Sequence, residues 1–374
     1  FESGIKTVDK SNFNIYELIH NVYDLMEFES EKNNTKLIIK DEHNSPVIVN
    51  ADKERILQAK NFDADYGGGE YNVAVSLSQF GVPTKFITAL PDNAVGDAAL
   101  YRIRGFGIDT SSILRQGDRL GLYFLEHGAA MRASKVVYDR ARSSISEIKT
   151  NSIDWKKAFD DISWFHFTGI TPALSKSAAE VTLEAAKAAK EMGITVSADM
   201  NYRKNLWSPE DAQATMKPLM KYVDIAIGNE EDAEKCLGVS AENQDVTSGE
   251  LNPDAYRDVL NKLSDNFGFK KIGITLRESI SASDNNWSAI YSDNGDIFIG
   301  NKYSIHMVDR VGGGDAFSAG IIYGNINEMS SEDTLNFAVA SSALAHTIHG
   351  DLNLVTLSEV NSIVKGDTSG RVQR

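Results

Sequence analysis

From about residue 84 the chain alternates short apolar runs with helical stretches, and this alternation limits the fold more than any other feature. The runs are 84–90 (TKFITAL), 164–170 (WFHFTGI), 194–200 (ITVSADM), 224–229 (DIAIGN) and 270–276 (KKIGITL). Each suits a strand buried on both faces, as parallel strands are. Between them, 176–193 and 253–268 have helical composition, the first rich in Ala, Glu and Lys. Strand and helix in repetition predict a doubly wound α/β fold. Its sheet is mostly parallel and flanked by helices, with ligands at the carboxyl ends of the strands.

One stretch departs from this pattern. Residues 121–128 (GLYFLEHG) and 134–140 (SKVVYDR) are two β-like segments joined by small residues at 129–133. They predict an antiparallel hairpin over about 120–141, suited to a β lid over a site or to plain cover for a sheet edge.

Composition narrows the function classes. At 374 residues the chain can bury a full core in one large α/β domain with additions. It has no long uninterrupted apolar run, so no membrane partner is expected. No signal-peptide pattern follows Phe1, and the lone Cys236 excludes an internal disulfide or a Cys-rich zinc site. Both features point to a reducing cytoplasm. A net charge of −15 argues against nucleic acid as the main partner.

The densest local motif is Asp309-Arg310-Val311-Gly312-Gly313-Gly314-Asp315, followed at once by AFSAGIIYGNI. Glycines let backbone N–H groups approach an anion without a Cβ in the way. A helix start adds unpaired N–H groups and the positive end of its dipole. A carboxylate is out of place in a site that only holds phosphate. It fits a group that takes a proton from an attacking hydroxyl. A glycine-rich turn with Asp315 as an ordinary N-terminal acid is the competing account.

Further clusters fall near strand ends or turns. Gly67-Gly68-Gly69-Glu70-Tyr71-Asn72 could bring backbone to a polyhydroxyl ligand, or could be the turn before a helix. Ser197-Ala198-Asp199-Met200-Asn201-Tyr202-Arg203 ends a predicted strand, and Gly228-Asn229-Glu230-Glu231-Asp232 ends another. Thr275-Leu276-Arg277-Glu278-Ser279 is expected just after a strand, and His349-Gly350-Asp351 at the close of a helix. For Arg203 a surface salt bridge is an open alternative. For the acids at 230–232 a helix-dipole role is equally available, and for Gly350-Asp351 a helix C-cap.

Taken together, these motifs make residues 54–374 resemble the ribokinase-like (PfkB) sugar kinases, and among them the branch acting on 2-keto-3-deoxygluconate. Arg310, where the wider family carries Thr, is familiar in that branch. The resemblance implies a ribokinase-like fold, ATP and Mg²⁺ as cofactors, a sugar acid as substrate and self-association as a homo-oligomer. It implies Asp315 as catalytic base, with Gly312, Gly313 and Gly314 around the transferred phosphoryl group. Substrate binding is implied for Gly68, Asn72, Tyr123, Tyr138, Arg140, Ile170, Arg203 and Asp351. Nucleotide binding is implied for Asn229, Thr275, Arg277, Gly312 and Gly314. Asp232 stands where the family carries a glutamate that meets Mg²⁺ through water. Kinases for fructose, ribose or 5-keto-2-deoxygluconate are the nearest alternatives, and an inactive fusion serving as a binding module is a more distant one.

Residues 1–53 differ in character. The run FNIYELIHNVYDLMEFESEKNNTKLIIKDEHNSPVIVNADKERILQ, which extends to Gln58, resembles the opening of a sensor histidine kinase ATP-binding domain. The asparagine-bearing ATP helix due after RILQ is replaced by AKNFDADYGGGE, and His20 lacks a phosphoacceptor setting. A non-catalytic α+β fragment is therefore expected. The opening strand of the sugar-kinase pattern is not matched ahead of residue 54, which leaves 46–50 (PVIVN) as the candidate for its place.

Overall fold

The computed structural model describes residues 63–240, 253–367 and 369–370, so the histidine-kinase-like segment and the 46–50 run lie outside the described residues. In chain order, β1 (Ala89–Leu90) pairs in parallel with β2 (Leu114–Arg115). β3 (Leu122–Glu126) and β4 (Lys135–Asp139) pair with each other as a two-stranded sheet. Next come β5 (Trp164–Thr168), β6 (Thr195–Asp199), β7 (Ile225–Asn229) and β8 (Lys271–Ser279), parallel throughout. β9 (Asp284–Asp293) is antiparallel to β8, and β10 (Asp296–Ile299) and β11 (Tyr303–His306) are both antiparallel to β9. The result is a seven-stranded sheet in the order β10-β9-β8-β7-β6-β5, with β11 also on β9.

Helices cover both faces because β7 alternates its side chains between two cores. Ala226 packs with Val196, Ala198, Ile272 and Ile274 against the helices Lys176–Glu191, Pro209–Met220 and Pro253–Phe267. Ile225 and Ile227 pack on the other side with Phe317 and Ile321 of the helix Gly313–Ile326 and Leu335, Ala338 and Val339 of the helix Ser331–Ala345. Gly273 of β8 admits the first of these: a Cβ there would lie 3.1 Å from Phe317 Cε1. Among the described residues no helix is long and apolar enough to cross a membrane.

Three expectations need correction. Among the described residues the 84–90 run pairs with 109–116 and with no strand of the seven-stranded sheet. Only Ala89–Leu90 are strand, and Phe86 N, Leu114 N and Gln116 N instead bond the run to 109–116. TLRES does not follow β8 but forms its outer end, because β9 extends the pairing as far as Ser279–Asn285. The helix before Asp351 ends at Ala345, since the His346 carbonyl accepts Val308 N and Asp309 N and draws the chain out of helical register. His349-Gly350-Asp351 therefore lies in the following loop. β9, β10 and β11 were not anticipated: the Asp284-Asn285-Asn286 start of β9 carries little strand propensity, and β10 and β11 are only four residues each.

The chain divides into two compact units, and the strand residues Tyr123–Glu126 and Lys135–Asp139 fall in a different one from 65–122, 127–134 and 140 onward. Within the hairpin the Tyr123 and Tyr138 rings pack 6.2 Å apart, tilted by 46°.

Candidate active site

Capping shows where an anion could bind. Asn93, Ser175, Ser208, Ser330 and Thr356 each cap a helix by accepting backbone N–H bonds on the side chain. The helix Gly313–Ile326 starts from Gly312 in the left-handed region, φ 75°, with no side-chain cap. Its first N–H groups remain available to a ligand oxygen.

Asp315 lies in the first turn of that helix, buried. Asn72 Nδ2 donates to Asp315 Oδ2 at 2.8 Å and stands 3.5 Å from Asp351 Oδ2. Asn72 is itself placed by the helix Gly69–Gln79, and its Oδ1 accepts Gly68 N at 3.2 Å. Glycines make the convergence of these segments possible. A Cβ on Gly67 would sit 2.1 Å from Asp351 Oδ2, and one on Gly312 would sit 2.1 Å from the Asp351 carbonyl oxygen. A Cβ on Gly313 would strike the His346 ring at 2.3 Å.

Burial pushes the Asp315 carboxyl up to about 7; the Asn72 hydrogen bond opposes the rise, the Asp351 charge adds to it, and Arg203 works against it. A carboxylate poised there can accept a proton near neutral pH. Asp199, at the end of β6, is raised well above the carboxylate range by burial and by the charges of Asp232 and Asp315.

Arg203 faces this acidic group. It acts electrostatically on Asp199, Asp232 and Asp315, and among the described residues its one hydrogen bond is from Nη1 to the Tyr202 carbonyl at 2.9 Å. A guanidinium has five N–H donors in a fork that suits a carboxylate. Asp232 is buried and shapes the loops: Oδ1 accepts Tyr202 N at 2.8 Å and Oδ2 accepts Asn229 N at 2.9 Å. Asn229 Oδ1 accepts Asp232 N in return, at 2.9 Å.

Other expected residues are spread around this centre. Ile170 begins a short helix after β5, and its N–H meets Thr168 Oγ1 at 3.3 Å. Arg140 is next to Gly121, where a Cβ would meet Arg140 Cγ at 3.5 Å. Thr275 Oγ1 donates to the Gly228 carbonyl at 3.4 Å, joining β8 to β7. Arg277 lies 5.9 Å over the Trp287 ring. The geometry thus joins Asp315, Asn72, Asp351 and the glycines directly, with Arg203 in electrostatic reach. It places Thr275 and Arg277 on the neighbouring strand β8.

Sequence reasoning missed Glu70, Asp199 and His346. Glu70 Oε1 accepts Thr168 N at 3.0 Å, Thr168 Oγ1 at 3.0 Å and Thr171 Oγ1 at 2.7 Å, locking the glycine segment to the end of β5. Asp199 could have been found from its position at a strand's carboxyl end. His346 gave no signal.

Comparison with known proteins agrees with this geometry. The family model described as pfkB family carbohydrate kinase matches residues 34–356. The crystal structure of 2-dehydro-3-deoxygluconokinase from Thermotoga maritima is 48% identical, with a TM-score of 0.80 over 84% of this chain and 93% of that one. A 2-dehydro-3-deoxygalactonokinase of Haloferax volcanii is 31% identical over 317 residues, 85% of this chain and 93% of the relative. A 5-dehydro-2-deoxygluconokinase of Clostridium perfringens is 25% identical over 313 residues, 82% and 86% of the two chains. The chain therefore has the ribokinase-like fold and belongs to the pfkB family of carbohydrate kinases.

Proposed function

We propose that this kinase transfers the γ-phosphoryl group of ATP to the primary hydroxyl of 2-keto-3-deoxygluconate, giving 2-keto-3-deoxy-6-phosphogluconate and ADP. The observation that carries the reading is the buried Asp315 at the head of an uncapped helix, bonded to Asn72 and raised to about 7. Asp315 accepts the hydroxyl proton as the new O–P bond forms and the bond to ADP breaks. Backbone N–H groups of 312–315 hold the charge on the phosphoryl oxygens. Arg203 pairs with the carboxylate of the sugar acid, while Asn72 and Asp351 meet its hydroxyls.

Among the described residues no set of three or more His, Cys, Asp or Glu side chains is placed to hold a metal ion. That suits Mg²⁺ carried on nucleotide phosphates and largely hydrated. When bound, Mg²⁺ neutralises phosphate charge. Both Asp232 oxygens already accept backbone N–H groups, which favours contact through water over direct ligation.

The similar proteins have names for three different keto-deoxy sugar acids. The 48% identity to the 2-dehydro-3-deoxygluconokinase favours that substrate. The test is ATP- and Mg²⁺-dependent phosphorylation of 2-keto-3-deoxygluconate, its galacto epimer, 5-keto-2-deoxygluconate, fructose and ribose. The highest kcat/KM should fall on 2-keto-3-deoxygluconate. A clear preference for another sugar would reassign the substrate, and no turnover of any sugar by the folded chain would sink the reading.

A further inference from the structure

Arg310 stands two residues before Gly312, beside the glycine loop. Several cations elsewhere among the described residues are paired with carboxylates: Arg115 with Asp97 at 2.8 Å, Lys190 and Lys270 with Asp224 at 2.8 and 3.1 Å, Lys271 with Asp293 at 3.1 Å. Arg310 is not. Its guanidinium is partly buried and makes no ion pair with a described residue. It has one hydrogen bond, from Nη2 to Asn285 Oδ1 at 3.1 Å. A half-desolvated cation without a counter-charge is a cost to the free protein, removed when an anion arrives.

Its surroundings are built to hold it in place. Asn285 is almost fully buried and fixed on both ends of its amide. Its Oδ1 also accepts Ser279 Oγ at 3.0 Å, and its Nδ2 donates to the Ser281 carbonyl at 3.3 Å. On the backbone side, Arg310 N donates to Asp309 Oδ1 at 2.7 Å, and Asp309 Oδ2 accepts Gly350 N at 3.0 Å. Arg310 is therefore anchored at both ends, two residues before Gly312.

The floor of the loop supplies no charge of its own. His346 is buried against Gly313, its Nδ1 bonded to the Asp309 carbonyl at 3.1 Å and its ring edge-on to Trp287 at 4.8 Å. A carbonyl only accepts, so Nδ1 carries the hydrogen and the neutral ring keeps a bare Nε2. This imidazole is lowered to about 4, chiefly by burial; the Asp309 hydrogen bond opposes the fall, and the Arg277 and Arg310 charges act with it. The fields of both guanidiniums thus reach the residue beneath the glycines.

We propose that Arg310 contacts the phosphates of the bound nucleotide, with Asn285 as the residue that positions its guanidinium. This rests on the sugar-kinase reading and adds to it a cation for the nucleotide. Among the described residues only one of the five donors of Arg310 is committed, which leaves enough for a two-pronged grip on phosphate oxygens. Neither the backbone N–H groups nor the neutral His346 supplies a full positive charge there.

The test measures binding of Mg–ATP and of adenosine, which has no phosphate, by calorimetry on the full chain and on Arg310→Gln, Arg310→Lys and Asn285→Ala. Arg310→Gln should weaken Mg–ATP by roughly 10- to 100-fold, the range for a lost charge-assisted hydrogen bond, and leave adenosine unchanged. Arg310→Lys should recover part of the loss. Asn285→Ala should give a smaller loss, again for ATP alone. Unchanged ATP binding by folded Arg310→Gln overturns the proposal, as does an equal loss for ATP and adenosine, which would mark a structural role. If Arg310→Gln does not fold, Asn285→Ala decides: unchanged ATP affinity overturns the proposal, and a loss confined to ATP supports it. An unaltered chain that binds no ATP would overturn the sugar-kinase reading as well, so the two failures are distinguishable.

Discussion

Asn72 Nδ2 donates to Asp315 Oδ2 at 2.8 Å across a sequence separation of 243 residues. The bond joins the start of the helix Gly69–Gln79 to the first turn of the helix Gly313–Ile326. It holds the glycine segment 67–69 and the Asp315 carboxyl in one frame. It also holds that carboxyl lower than burial alone would leave it.

If Asp315 is the base, it must be ionised to work. Burial has raised it to about 7, so kcat/KM should rise with pH through about 7 and level off above it. Asp315→Asn should lower kcat by about 10²–10⁴-fold or more with ATP binding retained. The same variant makes a stability prediction. A folded pKa above the unfolded one contributes stability that is full below the unfolded value and lost as pH rises through the folded one. Asp315→Asn should therefore melt above the parent at pH 8, with the gap narrowing as pH falls toward 4. A pH-independent gap would contradict the assignment.

Asn72→Ala removes the donor that favours the charged form of Asp315. The midpoint of the kcat/KM profile should move upward, by about half a unit to one unit for a bond worth ~1 kcal/mol. A downward shift would mean that Asp315 is not the group being followed.

Arg203→Ala should raise KM for a sugar acid by roughly 10- to 100-fold, as expected for a lost charge-assisted contact. KM for ATP should stay the same. The comparison that decides is a substrate analogue lacking the carboxylate, which should be insensitive to the substitution. Equal losses for acid and analogue would assign Arg203 to holding Asp199 and Asp232 instead.

The glycines of the loop should differ in tolerance. Gly312→Ala places a Cβ at left-handed φ and 2.1 Å from the Asp351 carbonyl oxygen, so it should lose at least about 1–2 kcal/mol from strain alone, together with most activity. Gly314→Ala meets nothing nearer than Asp199 Oδ2 at 4.0 Å and should melt close to the parent. Thermal denaturation of the two variants side by side checks this contrast.

Much of the scaffold was legible because its signals are local. The apolar runs that became β5 to β8 are short-range patterns, and the helix 176–193 ends within two residues of its expectation. Where pairing depended on distant partners, the reading failed. The 84–90 run has the composition of a sheet strand, but it bonds to 109–116, and no local feature encodes that choice. TLRES looked like a strand exit, yet β9 kept it in the sheet.

By itself the sequence determined the α/β class, the glycine-led helix and the candidate base Asp315, since periodicity, glycine placement and one carboxylate are properties of contiguous residues. Only the tertiary structure decided which groups surround that base. Asn72, Asp351 and Arg203 come from separate segments, and Glu70 fixes the glycine segment through Thr168 and Thr171. Burial, the largest cause of the raised Asp315 carboxyl, exists only once those segments close over it. That Arg310 has no carboxylate partner among the described residues is likewise visible only in the folded chain, because it depends on segments far apart in sequence.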